Sequence, residues 1–140
     1  MAISNASAQW TGGLKDGKGT MKPAHAPEAL YTVASRFEGA PSSSPEELIG
    51  AALAGCFSMA LSVGLETAGF KPQSINTSAS VHLNREGAGF SITSIDLTTE
   101  AAVPGIDAAR FQQVAEETKK GCPVSKALAG TKIALTAKLA

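Results

Sequence analysis

The sequence predicts an α+β fold, because its strand signals and helix signals come in separate runs rather than in strict alternation. Read coarsely, the order is βββ-α-ββ-α-α-β. Two observations fix that order: a single long apolar helix signal from Ser44 to Gly69, and two period-2 segments immediately after it. With 140 residues, 44% of them hydrophobic, there is material for one domain with a core that needs no disulfide staples. Within it, residues 1–43 read as an N-terminal β-meander, 44–69 as the central helix and 70–140 as a ββααβ portion.

The meander comes first. One strand ends near Trp10, a second covers Gly19 to Lys22, and a third runs from Leu30 to Phe37. Asp16-Gly17 is a tight-turn signal between the first two, and the segment Pro23 to Pro27 separates the second from the third. Arg36 is then expected at the end of the third strand, just before a Gly/Pro/Ser linker from Gly39 to Ser44.

Both ends of the central helix are signed. Ser44 suits the N-cap, Pro45 the first helical position, Glu47 completes a Ser-x-x-Glu capping box, and Gly69 follows the last turn. Leu48, Ile49, Leu53, Phe57, Met59, Leu61, Val63 and Leu65 spread around the axis, and no side chain from Leu48 to Gly64 is charged. A helix that is apolar all round must be enclosed. Its roughly 23 residues would run about 35 Å, enough to span a bilayer. Ala, Gly and Ser dominate the run, acidic residues flank it and basic anchors are missing, so a buried core helix is expected and no membrane association.

After Lys71-Pro72, Ile75 to Leu83 alternates as a strand, with Ile75, Thr77, Ala79, Val81 and Leu83 on one face. A turn at Glu86 to Gly89 leads into Phe90 to Thr99. There the apolar phase shifts between Ile92 and Ile95, which predicts a β-bulge near Thr93-Ser94. Pro104-Gly105 opens a helix with Asp107 as N-cap, Phe111, Val114 and Ala115 inward, and Lys119 and Lys120 at its C-terminal end. Cys122-Pro123 starts a short third helix through Leu128. Lys132 to Leu139 closes the chain as a strand with Ile133, Leu135 and Leu139 inward.

Twelve basic residues balance twelve acidic ones, and no basic run is present, so nucleic acid is not the expected partner. Met1 to Asn5 offers neither a basic nor an apolar segment of the kind a secretion signal needs, which points to the cytoplasm. In a reducing compartment the two cysteines, Cys56 and Cys122, read as catalytic, redox-active or inert rather than as a structural bridge. The two histidines, His25 and His82, lack any paired spacing with the cysteines, so no metal site is expected. A Cys-His hydrolase would need a base at the thiol; position alone leaves His82 open for that role, and no motif supports it. Cys56 taken alone reads most simply as a small hydrophobe on a buried helix. A mid-helix cysteine gains little from the helix dipole, so a lowered pKa would require a positive neighbour from elsewhere, for which Arg36 is the candidate.

Four segments then carry a resemblance. Ser35-Arg36-Phe37-Glu38-Gly39, the run Ser44-Pro45-Glu46-Glu47-Leu48-Ile49-Gly50-Ala51-Ala52 leading to Gly55-Cys56-Phe57-Ser58-Met59-Ala60-Leu61, then Ala102-Val103-Pro104-Gly105-Ile106, and Gly121-Cys122-Pro123-Val124-Ser125 resemble the OsmC/Ohr family. The Arg-Phe-Glu-Gly segment favours its OsmC branch. The linker Pro41-Ser42-Ser43-Ser44 departs from the Gly-Thr-Asn expected there, which alters the helix cap and leaves the chemistry intact.

The resemblance implies a thiol-dependent peroxidase for organic hydroperoxides, and more weakly for hydrogen peroxide, that uses no cofactor and no metal. Cys56 matches the peroxidatic cysteine, Cys122 the resolving cysteine, Arg36 the activating arginine and Glu46 the glutamate that holds it. It implies a Cys56 sulfenic acid, a Cys56–Cys122 disulfide, and reduction by a dithiol such as a lipoylated protein. It also implies an OsmC-like fold, with antiparallel sheets wrapped around the long helix in an intertwined homodimer. Glu46 and Cys56 lie ten residues apart, about 15 Å of rise and about 80° of rotation on a straight helix. A shared site therefore needs either a helix break near Gly50 or an Arg36–Glu46 pair donated by a second subunit, and the dimer is favoured. Phe37, Phe57, Met59 and Ile106 are the expected walls of an apolar substrate pocket. The competing reading is a non-catalytic protein that binds a small hydrophobic ligand on the same fold.

Overall fold

The computed structural model describes residues 1–140, which divide into two compact units, Met1–Leu48 and Ile49–Ala140. In the first, strands β1 (Ala6–Thr11), β2 (Lys18–Pro23) and β3 (Ala29–Tyr31) form an antiparallel sheet in the order β1-β2-β3. Trp10, Gly19 and Tyr31 share one row across it. The Trp10 and Tyr31 rings meet over the middle strand with centroids 5.4 Å apart. Gly19 permits this, because a Cβ there would fall 2.5 Å from Tyr31 and 2.7 Å from Trp10.

Two expectations for this unit change. Thr11 pairs with Lys18, so the β1–β2 connection is a six-residue loop, Gly12 to Gly17, rather than a tight turn at Asp16-Gly17. The third strand ends at Tyr31, and Val33–Phe37 is a short helix, α1. The cause is local: the Thr32 hydroxyl accepts from the Ser35 N–H at 3.0 Å while the Ser35 hydroxyl accepts from the Thr32 N–H at 2.8 Å. This reciprocal capping box converts the second half of the expected Leu30–Phe37 strand into helix.

Helix α2 (Pro45–Thr67) begins in the first unit and runs unbroken into the second. Ser44 caps it by accepting from the Glu47 N–H at 3.1 Å; the Glu47 carboxylate accepts from Ser43 Oγ at 3.3 Å, so only half of the expected box forms. At the other end Gly69, with φ +94°, closes a Schellman motif in which the Phe70 N–H reaches Leu65 O and the Gly69 N–H reaches Glu66 O, both at 2.9 Å. No break occurs near Gly50. That residue is packed down on the sheet, where a Cβ would stand 3.2 Å from Val81.

The second unit sets α2 beside strands β4 (Ser74–Glu86), β5 (Gly89–Ala102) and β6 (Lys132–Leu139), with helices α3 (Ala108–Gly121) and α4 (Pro123–Ala127) between the last two strands. β4 and β5 are antiparallel, and their register slips between His82 and Leu83, so that Thr93 is the extra residue of the expected bulge. β6 pairs with β5 in parallel, which makes this sheet mixed rather than wholly antiparallel. The reason is the α3–α4 crossover, which returns the chain to the end of the sheet from which β5 started. Asp107 caps α3 through the Arg110 N–H at 2.8 Å, and Phe111, Val114 and Ala115 face inward as expected.

Leu53, Phe57, Leu61 and Leu65, each four residues from the next, form the buried stripe of α2 against Ile95, Leu97, Ala101, Phe111 and Val114. Gly64 brings α3 close, since a Cβ there would lie 3.0 Å from Val114. The opposite side of α2 is not enclosed by the chain: Met59 is 72% and Val63 60% exposed, and only 28% of the most apolar window is buried. A chain of hydroxyls fastens the helix to the sheet, from Ser58 Oγ to Thr77 Oγ1 (2.7 Å) and from there to Thr99 Oγ1 (2.9 Å).

Candidate active site

The first unit contributes an ion pair. α1 carries Arg36 in its last turn, and the first turn of α2 carries Glu46. Arg36 Nε donates to both Glu46 oxygens, at 2.9 and 3.2 Å, and its terminal nitrogen donates to Oε1 at 2.7 Å. The fork geometry fixes the guanidinium plane as well as its charge. The carboxylate side is nearly closed to solvent at 8% exposure, whereas the arginine keeps 38%. A nearly buried carboxylate is tolerable there because the guanidinium and the start of α2 both compensate it. The guanidinium also lies 5.2 Å from the centre of the Phe37 ring. Arg36 thus presents a charged face held by groups no more than ten residues away.

The second unit contributes the thiols. Cys56 sits in the middle of α2 and is half-buried; Cys122 is fully buried at the corner between α3 and α4. Its N–H donates to Thr118 O at 2.9 Å, and Pro123 occupies the first position of α4, so the corner is tightly defined. The two sulfurs are 2.8 Å apart and both are free thiols. Closing that gap by roughly 0.8 Å reaches the ~2.05 Å of a disulfide.

The surroundings separate the two sulfurs chemically. Burial pushes the Cys56 thiol up, and the neighbouring Cys122 sulfur adds to the rise through its hydrogen bond and its charge, against a smaller lowering by the Val124 N–H. Burial pushes Cys122 up too, but its hydrogen bond with Cys56, the Ser125 N–H and hydroxyl and the Val124 N–H more than reverse this, leaving Cys122 below the ordinary thiol value. The pair therefore loses its first proton easily and its second with difficulty.

The remaining candidates lie elsewhere. His82 Nε2 is 2.7 Å from Asp96 Oδ2 on the exposed face of the sheet, opposite the face on which Ala79 and Val81 pack with Cys56 against the core, so it is no base for that thiol. Among the four expected wall residues, Phe57 is wholly enclosed in the core and cannot touch a substrate as it stands. Ile106 packs against the core, Met59 is exposed on α2, and Phe37 lies against Arg36. A groove of about 350 Å³ between α2 and α3 is lined instead by Ala60, Val63, Gly64, Val114, Thr118 and Cys122, among others. Sequence reasoning missed Val124 and Ser125 as neighbours of the thiols. The signal was present: a cysteine before Pro123 at a helix start places the next N–H groups around its own sulfur.

A family described as OsmC-like protein matches residues 38–137. The peroxiredoxin OsmC of Escherichia coli (strain K12) is 51% identical over 123 residues, covering 86% of each chain. An OsmC-like protein from Mycoplasma pneumoniae superposes with a TM-score of 0.77 at 16% identity, covering 99% of this chain and 97% of that one. The organic hydroperoxide resistance protein OhrB of Bacillus subtilis gives 0.72 at 21% identity, covering 97% and 98%.

Proposed function

The chain belongs to the OsmC family, and from that premise we propose a two-cysteine cycle for it as a thiol-dependent peroxidase acting on organic hydroperoxides, and more weakly on hydrogen peroxide. The observation that carries the cycle is the sulfur pair: two free thiols 2.8 Å apart, one half-buried and the other sealed in the core. Peroxide meets the more accessible sulfur. Cys56 attacks the distal peroxide oxygen as the thiolate, the O–O bond breaks, an alcohol leaves, and Cys56 becomes a sulfenic acid. Cys122, already in contact, displaces hydroxide from that sulfur and closes the disulfide before a second peroxide can carry Cys56 to the sulfinic acid. A dithiol, such as that of a lipoylated protein, then reopens the bridge by thiol–disulfide exchange.

Cys56 starts from a raised pKa within the pair, so its attack needs an external cation. In this proposal Arg36 is that cation: it holds charge on Cys56 and stabilises the departing oxyanion. Glu46 keeps the guanidinium aimed. An unbroken α2 separates Glu46 from Cys56 by about 15 Å along one chain, so the reading brings in the Arg36–Glu46 pair of a second copy and makes the working unit a homodimer. The uncovered apolar side of α2 at Met59 and Val63 supports that assembly, with Met59, Phe37 and Ile106 available to a substrate's hydrocarbon part. In this reading the chain works as one OsmC-like domain in the cytoplasm, with an organic hydroperoxide and a dithiol as its small-molecule partners.

The test is the intact mass and thiol content of the wild type and of Cys56→Ser, before and after one equivalent of cumene hydroperoxide. The cycle predicts loss of two hydrogens and of both thiols in the wild type, and neither in the variant. A wild type that keeps both thiols, or a variant that reacts equally well, would sink it and bring a hydrophobic-ligand-binding role forward.

A further inference from the structure

Ser125 Oγ is the single buried side-chain polar atom in the molecule without a well-formed hydrogen bond, although it lies near enough to the Cys122 sulfur to lower that thiol's pKa. It lies at the third position of α4, whose N-cap is Cys122, and the residue is 7% exposed. At a helix start the third side chain folds back toward the N-cap residue, as the Thr32–Ser35 pair of α1 illustrates in this same chain. Leaving a buried hydroxyl unpaired is destabilising, and an alanine would fill the same place without that penalty. A neutral sulfur is a weak acceptor, so a hydroxyl beside a neutral Cys122 has little to donate to. A sulfur bearing negative charge is a strong one.

We propose that Ser125 serves the second half of the peroxidase cycle: its hydroxyl donates to the Cys122 sulfur when that sulfur is a thiolate, holding it charged and aimed at Cys56. The inference rests on the two-cysteine reading and deepens it. In the step concerned, the Cys122 thiolate supplies the electron pair for the new S–S bond. The S–O bond of the Cys56 sulfenic acid breaks, and the hydroxide that leaves becomes water with the proton that Cys122 gave up on ionising. On reduction the same hydroxyl stabilises Cys122 as it departs from the bridge as a thiolate. Peroxide cleavage at Cys56 does not involve it. The lowered pKa of Cys122, to which the Ser125 hydroxyl contributes, agrees with this role.

Disulfide closure after one equivalent of cumene hydroperoxide, followed by rapid-quench mass spectrometry across pH, tests it on wild type, Ser125→Ala and Ser125→Thr. Ser125→Ala should form the sulfenic acid within about twofold of the wild-type rate and close the bridge about tenfold more slowly near neutrality, the size expected for losing a hydrogen bond to a charged group. The midpoint of its closure profile should move up by about one pH unit, and excess peroxide should yield more Cys56 sulfinic acid. Ser125→Thr, which keeps the hydroxyl, should restore the midpoint. Closure in Ser125→Ala at the wild-type rate and midpoint overturns the proposal, as does equal slowing in Ala and Thr, which would mark a packing role. A wild type that forms no bridge at all would instead bring down the two-cysteine reading beneath it.

Discussion

The Arg36–Glu46 pair and the Cys56–Cys122 pair are built in opposite ways. The ion pair joins residues ten apart, with the guanidinium partly in solvent and three short hydrogen bonds between a cap-driven helix and the start of the next. The thiol pair joins residues 66 apart, buried, with a single contact held by the packing of α2 against the α3–α4 corner. A charge that must stay ionised can be assembled locally and left partly wet. In the proposed cycle, thiols that bond to each other and avoid over-oxidation need a rigid setting in which only one is easily reached.

The most disruptive way to break this contrast is to remove the sealed thiol. Cys122→Ser should still consume about one equivalent of peroxide through Cys56, then fall by two orders of magnitude or more in dithiol-driven turnover, an expectation that follows from losing the resolving step. Its stability should fall by about 1–3 kcal/mol, because a buried hydroxyl replaces a thiol that packs as a small hydrophobe. Steady-state turnover with a small dithiol and a melting curve together check this; undiminished turnover would show that the buried thiol is a bystander.

Cutting the ion pair has a smaller effect with the opposite balance. Glu46→Gln keeps the shape and removes the charge that aims Arg36, and should lower kcat/KM for cumene hydroperoxide by about tenfold. Arg36→Ala also strands the Glu46 carboxylate, which should lower stability by about 1–2 kcal/mol after allowing for the solvent that reaches the site. Urea unfolding beside peroxidase assays separates the two losses. Wild-type kcat/KM in Glu46→Gln would detach the pair from the chemistry.

The thiol pair itself should titrate in two steps on either side of the ordinary thiol value of about 8.5. Thiolate absorbance should rise first below that value, because Cys122 is lowered, and again above it, because Cys56 is raised. The two thiols contribute to stability with opposite signs. The lowered Cys122 stabilises the fold above its unfolded value and loses that effect as pH falls through its folded value. The raised Cys56 stabilises it below its unfolded value and loses that effect as pH rises through its folded value. The two contributions oppose each other, while the absorbance should change in two stages. One step at the ordinary value would mean that the sulfurs do not interact.

Legibility followed the range of the forces involved. Ser44, Gly69 and Asp107 announced helix ends because caps act within one turn, and the slip in apolar phase at Thr93 announced the bulge because side-chain alternation is a property of the strand itself. Arg36, Glu46, Cys56 and Cys122 were legible by resemblance, and the structure shows the first two hydrogen-bonded together and the last two in contact. Where two local signals competed, as at Thr32 to Phe37, alternation suggested a strand and the reciprocal Thr32–Ser35 hydrogen bonds made a helix.

By itself, then, the sequence determined the order of most elements, both ends of α2 and its apolar character, since all of these reside in neighbouring residues. Only the tertiary structure decided that Phe57 is core, that β6 runs parallel to β5, that His82 faces away from the thiols, and that Cys122 is sealed beside Ser125 within 2.8 Å of Cys56. Each of these depends on which surfaces pack together across many residues of chain, and burial, more than any local pattern, makes one cysteine accessible and the other protected.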